Sequence, residues 1–71
     1  MTVRGTVVHQ DIEGGFWGIL ADDGSKYHPV GGLPHAYRED GCRIMADIEP
    51  VEAVTFAMWG RNVRIRNIKR I

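Results

Sequence analysis

The sequence predicts an all-β domain in which short strands close into a small barrel, with one short helix between two of the strands. Two observations lead to this prediction: apolar and polar residues alternate with a period of two over most of the chain, and glycine-rich breaks separate the alternating segments. Only one segment carries the start and stop signals of a helix. The 71 residues leave room for a single domain, which we place at residues 1–71.

The first two predicted strands cover residues 3–9 and 16–21, which are rich in β-branched or aromatic side chains. Between them, Gly14 and Gly15 supply a turn, because glycine adopts positive φ without steric cost. Gly18 interrupts the second strand. A glycine at such a place predicts either a bulge or a close approach of another backbone segment, in place of a smooth ladder.

The strongest turn signal in the chain is Asp-Asp-Gly-Ser at residues 22–25. Asp-Gly between two strand-like segments is typical of a tight hairpin. The third strand follows at residues 26–30. Since Pro29 has no N–H to donate to a sheet, we expect it at the end of this strand or on an edge.

Residues 33–40 are the helix candidate. Pro34 suits the first turn of a helix, where its missing N–H is not needed, and Gly41 suits the position just past the end. Leu33 and Tyr37 are four residues apart and would form one short apolar stripe. A helix of eight residues is not stable alone, so packing on the barrel must hold it.

Two more alternating segments, at residues 42–49 and 63–71, are predicted as strands. In the last one the alternation slips at Asn67, which indicates a bulge or a frayed end. An extra hairpin is predicted near residues 54–65, where a further short segment alternates. The resulting order of elements is β-β-β-α-β-β.

A sheet of four or five short strands has open edges unless it closes on itself. A closed barrel removes those edges, and a helix between the third and fourth strands would plug one end. This is the arrangement of the OB-fold, a five-stranded Greek-key barrel, which we predict here. The alternative is an SH3-like barrel, which usually lacks the helix in mid-chain.

Several short motifs also resemble those of a group of small, uncharacterised prokaryotic OB-fold-like domains. The motifs are Gly5-Thr-Val-Val, Glu13-Gly-Gly-Phe-Trp-Gly-Ile19, Asp22-Asp-Gly-Ser-Lys-Tyr27, Leu33-Pro, Gly41 and Met58-Trp-Gly60. The likeness covers most of the chain, and its two tryptophan motifs are its most specific part. It implies the fold and brings no activity with it. The chain departs from the group at Gly31-Gly32, where the connection to the predicted helix is looser.

The formal net charge of zero hides two unlike parts of the chain. Residues 1–52 hold all nine acidic side chains and four basic ones, whereas residues 53–71 hold five basic side chains and no acidic one. Such asymmetry is found in basic arms that bind anionic partners. It also fits a basic last strand whose charges are neutralised by acidic neighbours across the sheet, which is the interpretation we favour.

Catalytic, metal and cofactor sites have little support in the sequence. The acidic residues next to glycines lie in turn sequences, where aspartate commonly bonds to the backbone, so we expect no enzyme. The potential metal ligands lack the spacing of known sites, and no metal is expected; they are His9, His28, His35 and Cys42. Gly14-Gly15 lacks the motif of a dinucleotide-binding loop, so no cofactor is expected.

A candidate ligand-binding surface combines aromatic and basic side chains, because unpaired bases stack on aromatic rings and phosphates attract arginines. Its predicted members are Trp17, Tyr27, Trp59, Arg61, Arg64 and Arg66. Phe16 and Trp17 are adjacent in a strand and must point to opposite sides of the sheet. The surroundings of the three arginines distinguish the two interpretations. Exposure beside an aromatic ring would favour nucleic-acid binding, and ion pairs with Asp47, Glu49 or Glu52 would count against it.

A second candidate surface would bind a protein partner or a second copy of the chain. Phe56, Met58 and Trp59 carry much apolar area on a segment that could protrude. We therefore expect a non-catalytic binding or assembly module, with weak binding of single-stranded nucleic acid through Trp17, Trp59 and the basic last strand as the alternative. The sequence has no apolar run of the ~20 residues that span a bilayer, so no membrane association and a cytoplasmic location are expected.

Overall fold

A computed structural model describes residues 1–12, 14–52 and 58–71 of the chain. Its elements are β1 (Thr2–Gln10), β2 (Phe16–Ala21), β3 (Lys26–Pro29), a 3-10 turn (His35–Tyr37), β4 (Arg43–Pro50) and β5 (Arg61–Arg70). The strands form a closed barrel in the order β1-β2-β3-β5-β4. The pair β3–β5 is parallel and the other four pairs are antiparallel. The predicted small five-stranded barrel is confirmed.

The barrel closes because β1 bends and pairs with two strands. Its first part pairs with β4 and its second part with β2, and both registers include Gly5 and Thr6. At Gly5 the backbone of β2 passes so close that an added Cβ would lie only 2.9 Å from the Cα of Ala21. The absence of a side chain at Gly5 therefore lets β1 turn the corner of the barrel.

The Asp-Asp-Gly-Ser turn joins β2 and β3 as predicted. Ala21 N–H donates to the carbonyl of Ser25 at 2.8 Å, and Ser25 N–H donates to Oδ1 of Asp23 at 2.9 Å. Gly24 takes the left-handed conformation that the turn requires, with φ of 92°. Hydrogen bonding from Ser25 also holds the pKa of Asp23 below its usual value, because it stabilises the ionised carboxylate more than the neutral acid.

The helix predicted at residues 33–40 is wrong, since only a 3-10 turn of three residues, His35–Tyr37, forms there. Pro34 is extended, with ψ of 139°, and so lies outside the turn. In an α-helix the carbonyl of Leu33 would accept the N–H of Tyr37, but here it accepts Nε of Arg38 at 2.7 Å. The Tyr37 hydroxyl in turn donates to the carbonyl of Ile68. Tertiary bonds have replaced the helical ones in a segment too short to be helical by itself.

The core consists of ten apolar residues, which come from all five strands and from both connections around the 3-10 turn. Leu33 closes the core beside the turn, with 2% of its surface exposed.

The phase slip predicted at the last strand is present as a β-bulge. The β4–β5 register passes from Asp47–Asn67 to Ile48–Ile65, which leaves Arg66 as the extra residue. Because of the bulge, Ile68 packs against the core one position later than the strict alternation from Val63 and Ile65 would place the next inward residue.

Candidate functional site

The two tryptophans lie on opposite sides of the barrel wall. Trp17 packs against the core, with its ring 4.8 Å from that of His9 in an edge-to-face arrangement. Its neighbour Phe16 points outwards, as the alternation of a strand requires. Trp59 reaches the same outer side from the β4–β5 connection, where its ring lies over Gly18 and 5.6 Å from the ring of Phe16.

Phe16, Gly18, Lys26, His28 and Trp59 together form an outer surface on β2 and β3, which we call the aromatic face. The rings of Phe16 and His28 are 4.3 Å apart, and Nζ of Lys26 lies 5.6 Å from the centre of the Trp59 ring. The Trp59 side chain is half-buried, so part of its ring stays open to solvent. A cation beside three rings in contact is an arrangement that attracts flat, anionic ligands.

Two glycines make the position of Trp59 specific. A Cβ at Gly18 would overlap the Trp59 ring, so the ring fits only on a bare backbone. Gly60 has φ of 73°, and a Cβ there would come within 2.6 Å of the carbonyl oxygen of Lys26. Met58, on the other side of Trp59, also has positive φ, at 48°. The Phe-Trp-Gly and Met-Trp-Gly motifs, about forty residues apart in the sequence, therefore pack against each other.

Neither the bulge nor the close backbone approach predicted at Gly18 is found among the residues that the structure describes. The β1–β2 register runs through Val8–Gly18 without a shift. What comes close is the side chain of Trp59 and not another backbone segment. The sequence indicates the glycine but not the ring that covers it, because alternation shows which residues share one face of a strand and not which distant side chain packs on that face.

His28 occupies the centre of the aromatic face. Burial lowers the pKa of its imidazole below the ordinary value of 6.5, since the charged form loses hydration there. Within the described part of the chain, its buried Nδ1 has no hydrogen-bond partner. The ring therefore takes part in the face as a neutral aromatic group near neutral pH.

The basic residues of β5 are only partly neutralised. Glu49 on β4 serves two of them, with Oε1 3.5 Å from Nη1 of Arg64 and Oε2 3.1 Å from Nη1 of Arg66. Arg70 lies 3.7 Å from Glu39. Arg61, at the start of β5, is exposed and forms no ion pair with any residue that the structure describes. By the criterion set from the sequence, the cover that Glu49 gives to Arg64 and Arg66 counts against nucleic-acid binding through these two arginines. One carboxylate for two guanidinium groups still leaves β5 with a surplus of positive charge.

A groove of about 520 Å³ runs along β5 on the side where β3 ends. We call it the arginine groove, because three arginines are among its lining residues, which are 31–34, Arg38 and 64–68. Arg38 is held in place by the bond from its Nε to the carbonyl of Leu33. Glu49 fixes Arg64 and Arg66 from the opposite side.

The predicted ligand-binding residues separate into three groups. Tyr27 is in the core, with 6% of its surface exposed, and Trp17 packs on the core at one end of the barrel. Trp59 lies on the aromatic face and Arg61 begins the strand beside β3. Arg64 and Arg66 line the groove. The sequence did not single out Phe16, His28, Lys26 or Arg38 as ligand-binding residues; a strand's alternation could have indicated the first three, whereas Arg38 lies in an irregular segment.

The predicted partner-binding residues are only partly described. Met58 has 89% of its surface exposed and Trp59 is half-buried, whereas Phe56 and the rest of the first part of the extra hairpin, residues 54–57, lie outside the described residues. No group of three potential metal ligands comes together among residues 1–12, 14–52 and 58–71. No helix in the described residues is long and apolar enough to cross a membrane.

Comparison with protein-family models, with curated proteins and with solved structures finds no match.

Proposed function

We propose that this protein is a non-catalytic module that binds single-stranded nucleic acid on the aromatic face, using an OB-type barrel as its scaffold. The observation that carries the proposal is the Trp59 ring, which lies on the outer side of β2 beside Phe16, with Lys26 next to it. Bases of any sequence can stack on such rings, because every base has a π-face. Lys26 supplies a positive charge for a phosphate next to the stacked base.

The place of this face on the barrel supports the proposal. OB-type barrels bind oligonucleotides across their second and third strands, between the connection that follows the first strand and the connection that precedes the last. Here the aromatic face lies on β2 and β3, and Trp59 belongs to the connection that precedes β5. The strand order with a parallel β3–β5 pair, together with the motifs that resemble small prokaryotic OB-fold-like domains, supports the OB assignment.

The charge balance sets the expected strength of binding. The chain has no net charge, and Glu49 offsets part of the positive charge of β5. Few phosphates can therefore be neutralised, and the affinity should be modest and should fall with added salt. A cytoplasmic location belongs to this proposal, since nucleic acid is available there and the buried thiol of Cys42 suits a reducing compartment.

Tryptophan fluorescence tests the proposal directly. In the Trp17→Phe variant, Trp59 is the one remaining tryptophan, and titration with a mixed-sequence single-stranded oligonucleotide at low salt should quench it. Trp59→Ala should weaken binding about 5- to 150-fold, the equivalent of one stacked base at about 1–3 kcal/mol. A thermal denaturation curve shows whether Trp59→Ala is still folded, and Trp59→Phe, which keeps a ring, should retain most of the affinity. Absence of quenching up to high micromolar oligonucleotide would refute the proposal.

Met58 favours a second candidate, self-association through the Met58–Trp59 segment. With 89% of its surface exposed, it is the most exposed large apolar side chain of the described residues. Sedimentation of the free protein at increasing concentration tests this function. A concentration-dependent dimer that Met58→Ser abolishes would support it, and a monomer throughout would leave nucleic-acid binding as the function.

A further inference from the structure

We propose that the arginine groove binds the phosphate backbone of the strand whose bases stack on the aromatic face. This inference rests on the proposed function and extends it by adding a second, purely ionic part of the site. The groove is formed by residues 31–34, Arg38 and residues 64–68.

The groove exists because two neighbouring strands differ in length. β3 has four residues and β5 has ten, and the parallel pairing between them covers only residues 27–29 and 61–63. After Val30 donates to the carbonyl of Val63, the chain turns away through Gly31 and Gly32. Beyond Val63, the edge of β5 is therefore bordered by an irregular connection, and the space between them is the groove.

The charges in the groove are arranged for an anion. Three arginines line the groove, and among the described residues the one carboxylate paired with any of them, Glu49, contacts Arg64 and Arg66, which leaves two positive charges in excess. Each guanidinium has a partner in the protein. Nε of Arg38 donates to the carbonyl of Leu33, and Nη1 of Arg64 and Nη1 of Arg66 form ion pairs with Glu49. Each guanidinium has further N–H groups besides these, and guanidinium groups make paired hydrogen bonds with phosphate.

The groove continues from the aromatic face. His28 of the aromatic face pairs in register with Asn62 of β5, and Arg64 follows Asn62 two residues later on the same outer side. Neighbouring strands lie about 4.8 Å apart, so β2 and β5 are separated by roughly 10 Å across β3. A strand that leaves the Trp59 ring and crosses β3 thus reaches Arg64 within a short stretch of backbone.

An acidic extended peptide is the competing occupant of this groove, since it could pair with the edge of β5. The groove continues from the aromatic face, and this favours nucleic acid. The acidic side chains of such a peptide have no flat rings that could stack on Trp59, Phe16 and His28, whereas nucleic-acid bases do. A polyglutamate peptide serves as the probe for this alternative in the experiment.

The experiment compares the salt dependence of binding in matched variants, each titrated with the same oligonucleotide of about ten nucleotides. Arg38→Gln and Arg64→Gln should each reduce the slope of log affinity against log salt by about 0.7, the effect of one lost contact to a single-stranded phosphate. Both variants should keep the quenching amplitude of Trp59, because the rings are untouched. Glu49→Gln should increase the affinity, since it removes a carboxylate that repels phosphate. Arg4→Gln removes the same charge from an exposed position outside the groove and should leave the slope unchanged.

The outcomes separate the two proposals. If the oligonucleotide quenches Trp59 and the slope is the same in wild type, Arg38→Gln and Arg64→Gln, the groove proposal is wrong and the aromatic face stands alone. If no oligonucleotide quenches Trp59, the proposed function fails and the groove loses its nucleic-acid ligand. Titration with inorganic pyrophosphate, followed by NMR at the arginine Nε–H groups, then shows whether the groove binds phosphate at all. Tighter binding of polyglutamate than of the oligonucleotide would overturn the phosphate assignment.

Discussion

The two sides of β2 present opposite surfaces from adjacent residues. The inner side carries Trp17, Ile19 and Ala21, which pack against or within the core. The outer side carries Phe16, Gly18 and Leu20, of which Leu20 is 39% exposed. The inner side is filled by its own side chains, whereas on the outer side a glycine leaves a space that Trp59 fills from a distant part of the chain.

The difference shows how so small a barrel acquires a binding surface. A core of ten residues needs every inward side chain, so ligand-binding groups must come from the outer side. Trp17 packs on the core from the inner side of β2 and has a structural role. Trp59 lies on the outer side of β2 and stays partly open to solvent. The following predictions test this division, from the largest expected effect to the smallest.

Ile19→Ala should cause the largest loss of stability, because Ile19 is fully buried and its truncation leaves a cavity in the core. The free energy of unfolding should fall by about 2–5 kcal/mol, as measured by urea denaturation. The neighbouring outer residue is the matched control, and Leu20→Ala should cost less than about 1 kcal/mol. Equal losses in the two variants would show that the sides of β2 are not divided in this way.

Gly18→Ala should have a smaller but specific effect on the outer side. The new methyl group overlaps the Trp59 ring, which must move away at a cost of about 1–3 kcal/mol. In a Trp17→Phe background, the Trp59 emission should shift to the red as the ring becomes more solvated. Gly31→Ala is the control, since nothing lies within 4 Å of a Cβ at Gly31. An unchanged emission in Gly18→Ala would contradict the packing of Trp59 on β2.

His28 should give the smallest effect, a dependence of stability on pH. Burial lowers its pKa in the folded state from the ordinary 6.5, so below that pH the unfolded chain takes up a proton that the folded protein resists. The free energy of unfolding should therefore fall as the pH decreases from about 6.5 through the lowered folded pKa. Denaturation curves between pH 7.5 and 5 should be flatter in His28→Phe than in wild type. His35→Gln, at an exposed position on the 3-10 turn, should keep the wild-type dependence.

The strands and the Asp-Gly hairpin were predictable because their signals are local. A period of two defines each strand, and Asp23 and Gly24 carry the hydrogen bond and the backbone conformation that the turn needs. Even the bulge at Arg66 left a trace, the slip in alternation near Asn67. The helix over 33–40 was wrong because its capping signals are also local, while the bonds from Arg38 and Tyr37 that replaced the helix are not.

The sequence by itself determined the β-class, the number of strands and the opposite orientation of Phe16 and Trp17, since alternation and turn chemistry act over a few residues. The tertiary structure decided that Trp59 covers Gly18, that one carboxylate, Glu49, serves both Arg64 and Arg66, and that Arg38 joins them at one groove. The physical reason is barrel closure. Pairing β3 with β5 brings together residues more than thirty positions apart, and no local pattern records that contact.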